Sequence, residues 1–241
     1  MHLYETSDYS AMSLKAAQIL AAQIALKPKS VLGLATGSTP EGLYRHLVEW
    51  SQNGSIDFSN ITSINLDEYI GLPPDHPQSY RKYMQDNLFQ HVGVQESNIH
   101  IPNGLETDAE AECARYDAVI EQAGGIDLQL LGMGQNGHIG FNEPGDEFIP
   151  GTHAVDLTES TIQANKRFFE KESDVPRRAY TMGIRAIMQA RRVLVVVSGP
   201  EKARALKQAF FGPITPRVPA SILQLHKNVI LVADKAALSE L

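Results

Sequence analysis

The 241-residue chain has one cysteine, Cys113, so no internal disulfide can form, which fits a reducing cytoplasm. No uninterrupted apolar run approaches the length of a membrane span, and the first residues lack the basic-then-apolar pattern of an export signal. Excess positive charge is also missing: 21 Lys and Arg stand against 28 Asp and Glu, a formal net charge of −7. A pI of about 5.6 argues against nucleic acid as the main partner. It leaves room for a local basic pocket that takes a small anion. The eight histidines do not cluster and none stands in the His-Glu-x-x-His spacing, so no metal is expected. Nor is there an internal repeat, a low-complexity tract or a linker. These absences describe one soluble, cytoplasmic domain over residues 1–241, without a membrane or nucleic-acid partner. Its 43% hydrophobic and 20% charged content is ordinary for such a domain.

What is present alternates between two periodicities. Tyr9 to Leu26 carries apolar residues at helical spacing and should end at Lys27-Pro28. Val31 to Ala35 reads as a strand, followed by a helix from Pro40 through Trp50 that Ser38 or Thr39 can cap. Ile61 to Leu66 is a second strand, Ser79 to His91 and Asp108 to Gln122 are helices, and Ile126 to Leu131 is a third strand. Beyond it come a helix over Thr158 to Phe169, a short strand or turn at Tyr180 to Ile184, and a β-branched strand over Arg192 to Ser198. A helix opened by Gly199-Pro200 runs to about Phe211, and a short one lies near Ser221 to Leu225. Asn228 to Ala233 is the last strand, with a terminal helix after it. Strands alternating with helices predict an α/β fold, a mostly parallel sheet covered by helices on both faces.

The segment Leu131 to Gly145 differs in kind. After an apolar strand it gathers five glycines, a proline, a histidine, two asparagines and a glutamate, a mixture unsuited to a core. Gly132, Gly134 and Gly137 match the G-x-G-x-x-G dinucleotide fingerprint, and Asp156 lies at a suitable distance downstream. That fingerprint requires a helix opening at its last glycines, and Gly140, Pro144 and Gly145 would break one. The segment therefore reads as an active-site loop, with His138 and Glu143 as proton-exchanging groups.

Two more strand ends carry polar loops. Thr36-Gly37-Ser38-Thr39 ahead of a helix suits a phosphate cradle, its amides and hydroxyls aided by the helix dipole; on spacing alone it suits an ordinary cap equally well. It is no Walker loop, because the Gly-Lys-Ser/Thr is absent. Asp67, directly after a strand, suits a general base or a turn residue bonded to its own backbone. Lys202, near the start of a helix, and Arg167 suit anion contacts or solvated surface positions. Parallel strands bring their carboxyl ends to one edge, where such loops can converge. The residue pattern by itself extends to an α/β enzyme for a small phosphorylated anion.

Three stretches, Leu32 to Tyr44, Asn65 to Leu72 and Leu131 to Gly145, together resemble the glucosamine-6-phosphate deaminase (glucosamine-6-phosphate isomerase) family. Ala164 to Phe169, Thr181 to Ile184 and Pro219 to Leu223 extend the resemblance over nearly the whole chain. It implies a single-domain, Rossmann-like fold, an amino sugar phosphate as substrate, and conversion of glucosamine 6-phosphate and water to fructose 6-phosphate and ammonia. No redox or metal cofactor is implied. By the same resemblance His138 opens the pyranose ring with Glu143 completing the relay, and Asp67 moves the C2 proton to C1 through an enolamine. Asn136 stands where many members have an aspartate and the shorter bacterial members an asparagine, which can orient His138 but cannot exchange a proton. Thr36, Gly37, Ser38 and Thr39 would hold the phosphate, with Arg167 and Lys202 supplying charge. The chain stops soon after its last strand, whereas the allosteric hexamers are longer. A monomer or small homo-oligomer without activation by N-acetylglucosamine 6-phosphate is therefore expected. Two rivals are a 6-phosphogluconolactonase, which needs no Asp67 shuttle, and a non-catalytic sugar-phosphate sensor.

Overall fold

A computed structural model describes residues 1–159, 162–163, 169, 171 and 175–241. Most of the segment expected to be helical between 158 and 169, Arg167 included, lies outside the described residues. In chain order the elements that matter here are β1 (His2–Thr6), α1 (Tyr9–Leu26), β2 (Val31–Leu34), α2 (Glu41–Gln52), β3 (Thr62–Asn65) and β4 (Asp67–Tyr69). They continue with α3 (Tyr80–Met84), a π-helical turn Gln85–Phe89, α4 (Gln90–Val92), β5 (Ile99–His100), α5 (Ala109–Gln122), β6 (Leu128–Leu131) and β7 (His153–Asp156). The last are β8 (Arg178–Thr181), α6 (Ile184–Gln189), β9 (Val193–Val197), α7 (Ala203–Phe211) and β10 (Val229–Asp234).

Seven strands form one sheet in the order β1-β10-β9-β6-β2-β3-β5, and every pairing in it is parallel. Its central strands β2, β6 and β9 are buried at every residue, as strands covered on both faces must be. Helices supply the cover. In α1, Asp8 accepts the Ala11 amide at 2.9 Å as N-cap. Met12, Ala16, Leu20 and Ile24, four residues apart, are buried along one stripe of that helix.

The sheet has a topological switch at its middle. From β2 the chain adds β3 and β5 on one side, then returns to place β6, β9 and β10 on the other. The crevice between the carboxyl ends of β2 and β6 is where such sheets bind ligands. A second, antiparallel sheet, β4-β8-β7, begins at Asp67. The Leu66 amide still donates to Leu34 beside β3, while its carbonyl already accepts from Met182 after β8. The strand thus changes sheets just before Asp67 and turns that residue over the edge of the first sheet.

Several sequence expectations are corrected. The residues before Tyr9 form an edge strand, β1, which carries no apolar run because it is largely exposed. The helix from Ser79 to His91 contains a π-helical turn. Residues 235–240 form successive turns instead of a terminal helix. Asp67 to Tyr69 is a strand in its own right, and His153–Asp156 and Ile99–His100 are strands too short and polar to show a period.

Candidate active site

The loop after β2 turns over the start of α2. Gly37 has φ +93°, in the left-handed region that glycine alone adopts without strain. Among the described residues, no group accepts a hydrogen bond from the amides of Thr36, Gly37, Ser38 or Thr39. These donors stand at a helix N-terminus, the arrangement that favours an anion. The expected cap by Ser38 or Thr39 is absent: Pro40 is the N-cap of α2 and makes no side-chain cap bond. The Tyr9 hydroxyl, brought in by the first turn of α1, accepts the Gly42 amide at 2.9 Å instead.

Asp67 lies at the cavity floor, 6% exposed. None of the described residues donates a hydrogen bond to its carboxylate. Burial, with the charge of adjacent Glu68 adding to it, pushes its carboxyl up to about 8. Glu68 points elsewhere: it accepts the amides of Tyr69, Tyr80 and Arg81 at 2.8–2.9 Å, capping α3. Burial raises the Glu68 carboxyl despite those donors. The two neighbouring carboxylates therefore divide into one that faces the cavity without a hydrogen-bond donor among the described residues and one that caps a helix.

After β6 the glycine-rich loop folds without a helix, so the dinucleotide fingerprint is fortuitous. Its compactness depends on Gly134, where an added Cβ would sit 2.3 Å from the His138 ring. The Asn136 side chain spans the turn, Oδ1 accepting the His138 amide at 3.2 Å and Nδ2 donating to Glu143 Oε2 at 2.9 Å. The same Glu143 oxygen lies 3.5 Å from His138 Nδ1, within ion-pair reach and long for a hydrogen bond, as is common before substrate binds. Asn142 latches the loop by donating to Ile139 and Met182 carbonyls at 3.0 and 2.9 Å. Gly140 carries the chain past Asp67: a Cβ there would stand 3.4 Å from Asp67 Oδ2.

A cavity of about 1220 Å³ joins these parts. Thr36, Gly37, Ser38, Thr39, Asp67, Asn136, His138 and Lys202 all line it. Glu143 does not; it stands behind His138, its side chain 6% exposed. Lys202, in the turn after β9, donates from Nζ to the Met133 carbonyl at 2.9 Å, which holds it over the site. Sequence reasoning missed Tyr9, Arg45, Tyr80 and Glu201 among the lining residues. Tyr9, Arg45 and Tyr80 sit on helices, where a polar or aromatic residue reads as surface or core. No group of three or more metal-ligating side chains is found among the described residues, and none of the described helices is long and apolar enough to cross a membrane.

Residues 6–232 match the family model described as glucosamine-6-phosphate isomerases/6-phosphogluconolactonase. The chain belongs to that family. It is 56% identical over 232 residues to the glucosamine-6-phosphate deaminase of Lachnoclostridium phytofermentans, covering 96% of this chain and 98% of that one. Against the glucosamine-6-phosphate deaminase of Clostridioides difficile it is 53% identical, covering 100% and 97%. The solved structure of a monomeric glucosamine-6-phosphate deaminase superposes with a TM-score of 0.96 at 48% identity, covering 99% of each chain. The 6-phosphogluconolactonase of Thermotoga maritima superposes with a TM-score of 0.75 at 22% identity, covering 97% and 99%, a likeness of fold alone. Within the family the similarity therefore lies on the deaminase side.

Proposed function

We propose that the chain is a glucosamine-6-phosphate deaminase, converting glucosamine 6-phosphate and water to fructose 6-phosphate and ammonia. The observation that carries this reading is the placement of buried Asp67 in one cavity with the amide cradle and the His138 loop. Identity of 53–56% to deaminases along the whole chain supports it.

In this reading the phosphate rests on the amides and hydroxyls of Thr36 to Thr39, with Lys202 and Arg167 supplying positive charge. Anchoring a remote phosphate holds the flexible opened sugar in a reactive pose. His138 takes the proton of the C1 hydroxyl and returns one to the ring oxygen, and Glu143 stabilises the imidazolium formed meanwhile. Asn136 keeps Glu143 in place without exchanging a proton. Asp67 then removes the C2 proton of the open chain, giving an enolamine, and delivers it to C1. The resulting C2 imine adds water and releases ammonia, leaving the ketone. No step draws on a redox or metal cofactor. A lactonase would need no base at the position of Asp67, and a sensor would need none of the three proton-handling groups. We further propose that residues 1–241 act as one domain, as a monomer like its solved relative, in the cytoplasm.

The test is ammonia release from glucosamine 6-phosphate in metal-free buffer by the wild type and by Asp67→Asn. Release by the wild type with a loss of about 10²–10⁴-fold in the variant supports both reaction and base. Equal release by both would move the C2 base elsewhere. Binding without release by the wild type would favour the sensor, and hydrolysis of 6-phosphogluconolactone without ammonia would favour the lactonase.

A further inference from the structure

The phosphate cradle has no side-chain cap of its own, yet two of its carbonyls, and that of Ala35 just before it, end on phenols. Ala35 accepts from Tyr44 Oη at 2.6 Å, Gly37 from Tyr83 Oη at 2.7 Å, and Ser38 from Tyr9 Oη at 3.0 Å. The three tyrosines come from different helical segments: Tyr9 opens α1, Tyr44 lies in α2, and Tyr83 belongs to α3. Tyr9 bridges two groups, donating to Ser38 and accepting from the Gly42 amide at 2.9 Å. Gly42 permits that approach, since a Cβ there would lie 2.4 Å from Ser13 Oγ and 3.1 Å from the Tyr9 ring.

A peptide unit whose carbonyl is held on one side presents its amide to the other. Gripping the carbonyls of Gly37 and Ser38 restrains the peptide planes that carry the Ser38 and Thr39 amides, two of the donors assigned to the phosphate. Without the phenols, the Gly37 peptide can rotate at little cost, because glycine is conformationally permissive.

We propose that Tyr9 and Tyr83 are positioning residues that preorganise the cradle, holding its amides toward the cavity so that a phosphate monoester binds without reorganising the loop. The proposal rests on the phosphate reading of this loop and deepens it. Tyr44, fully buried, anchors the start of the loop as part of the core.

The experiment is calorimetric titration of inorganic phosphate and of fructose 6-phosphate into wild type, Tyr9→Phe, Tyr83→Phe and the double variant, with thermal melts of each. Tyr180→Phe is the control, since its phenol bonds Glu106 at 2.8 Å away from the site. Each single variant is expected to weaken both ligands about three- to tenfold, the effect of losing one hydrogen bond. The KM for glucosamine 6-phosphate should rise in parallel and kcat should fall by less. The expected melting midpoints stay close to that of Tyr180→Phe. Wild-type affinity in both single variants, or lost stability with unchanged affinity, would overturn the proposal. If the double variant does not fold, the single variants decide. A wild type that binds fructose 6-phosphate but releases no ammonia would sink the deaminase reading while the grip could still be measured. A wild type that binds neither ligand would overturn the phosphate reading and the grip together.

Discussion

Asn136 donates from Nδ2 to Glu143 Oε2 at 2.9 Å, and that oxygen is the one lying 3.5 Å from His138 Nδ1. A single carboxylate oxygen thus serves two neighbours, one that can only orient it and one with which it can share a proton. Glu143→Gln keeps the shape and removes the charge, so kcat should fall about 10²-fold. Asn136→Ala keeps the charge and removes both the bond to Glu143 and the acceptor of the His138 amide, so a loss of about tenfold is expected. Steady-state ammonia release compares the two. A larger loss in Asn136→Ala would mean that orientation outweighs charge at this pair.

In the proposed reaction the buried Asp67 carboxyl, pushed up to about 8, has to be ionised to accept the C2 proton. Below that pH the free enzyme holds it protonated, so kcat/KM should rise as pH increases through about 8, with a slope of one. A profile of kcat/KM against pH checks this directly. An acid limb near 4, the ordinary carboxylate range, would show that the base is solvated or is another residue.

The same burial has a stability consequence of definite sign. Asp67 binds its proton more tightly in the folded chain than in the unfolded one, whose carboxyl titrates at about 3.8. Its contribution is therefore lost as pH rises from about 4 through about 8, and stays lost above. Asp67→Asn should melt higher than wild type by at least about 2 °C at pH 9, with the gap closing toward pH 4. A gap that does not change with pH would contradict the raised carboxyl.

Gly134 lies under the imidazole of His138, with space for no Cβ. Gly134→Ala should displace that ring and lower kcat by about 10²-fold, since a shift of an ångström at a reacting group has such a cost. The obstruction is a side chain, so the variant should keep the far-ultraviolet dichroism of the wild type. Full activity would show that His138 works from another rotamer.

Asn142 is buried and donates to two carbonyls that link the loop to the end of β8. Asn142→Ala removes the donor to the Met182 carbonyl, while the Ile139 carbonyl keeps the backbone amide of residue 142 at 3.1 Å, and should destabilise the fold by about 1 kcal/mol. Denaturant unfolding measures it. An unchanged midpoint would mean that water replaces the latch.

What the sequence determined by itself was local. The four-residue stripe of α1 and the apolar runs of β6, β9 and β10 marked these elements, because backbone periodicity depends on neighbours a few residues apart. The breaks at Gly140 and Pro144 likewise ruled out a nucleotide helix. His138, Asp67 and the Thr36 to Thr39 loop were legible as polar interruptions at strand ends, and the parallel order of strands brings them to one edge.

Which of those groups meet, and in what state, was decided only by tertiary structure. Asp67 and Glu68 are adjacent carboxylates of similar appearance in the sequence, and the switch of sheets at Leu66 sends one into the cavity and the other onto α3. The phenols of Tyr9 and Tyr83 reach the cradle across 29 and 46 residues of chain, a separation that no local pattern encodes. β1 was invisible for the same reason: it owes its existence to pairing with β10 at the far end of the chain. Short-range sterics and periodicity write the elements into the sequence, whereas burial and long-range hydrogen bonding select which side chains become chemical groups.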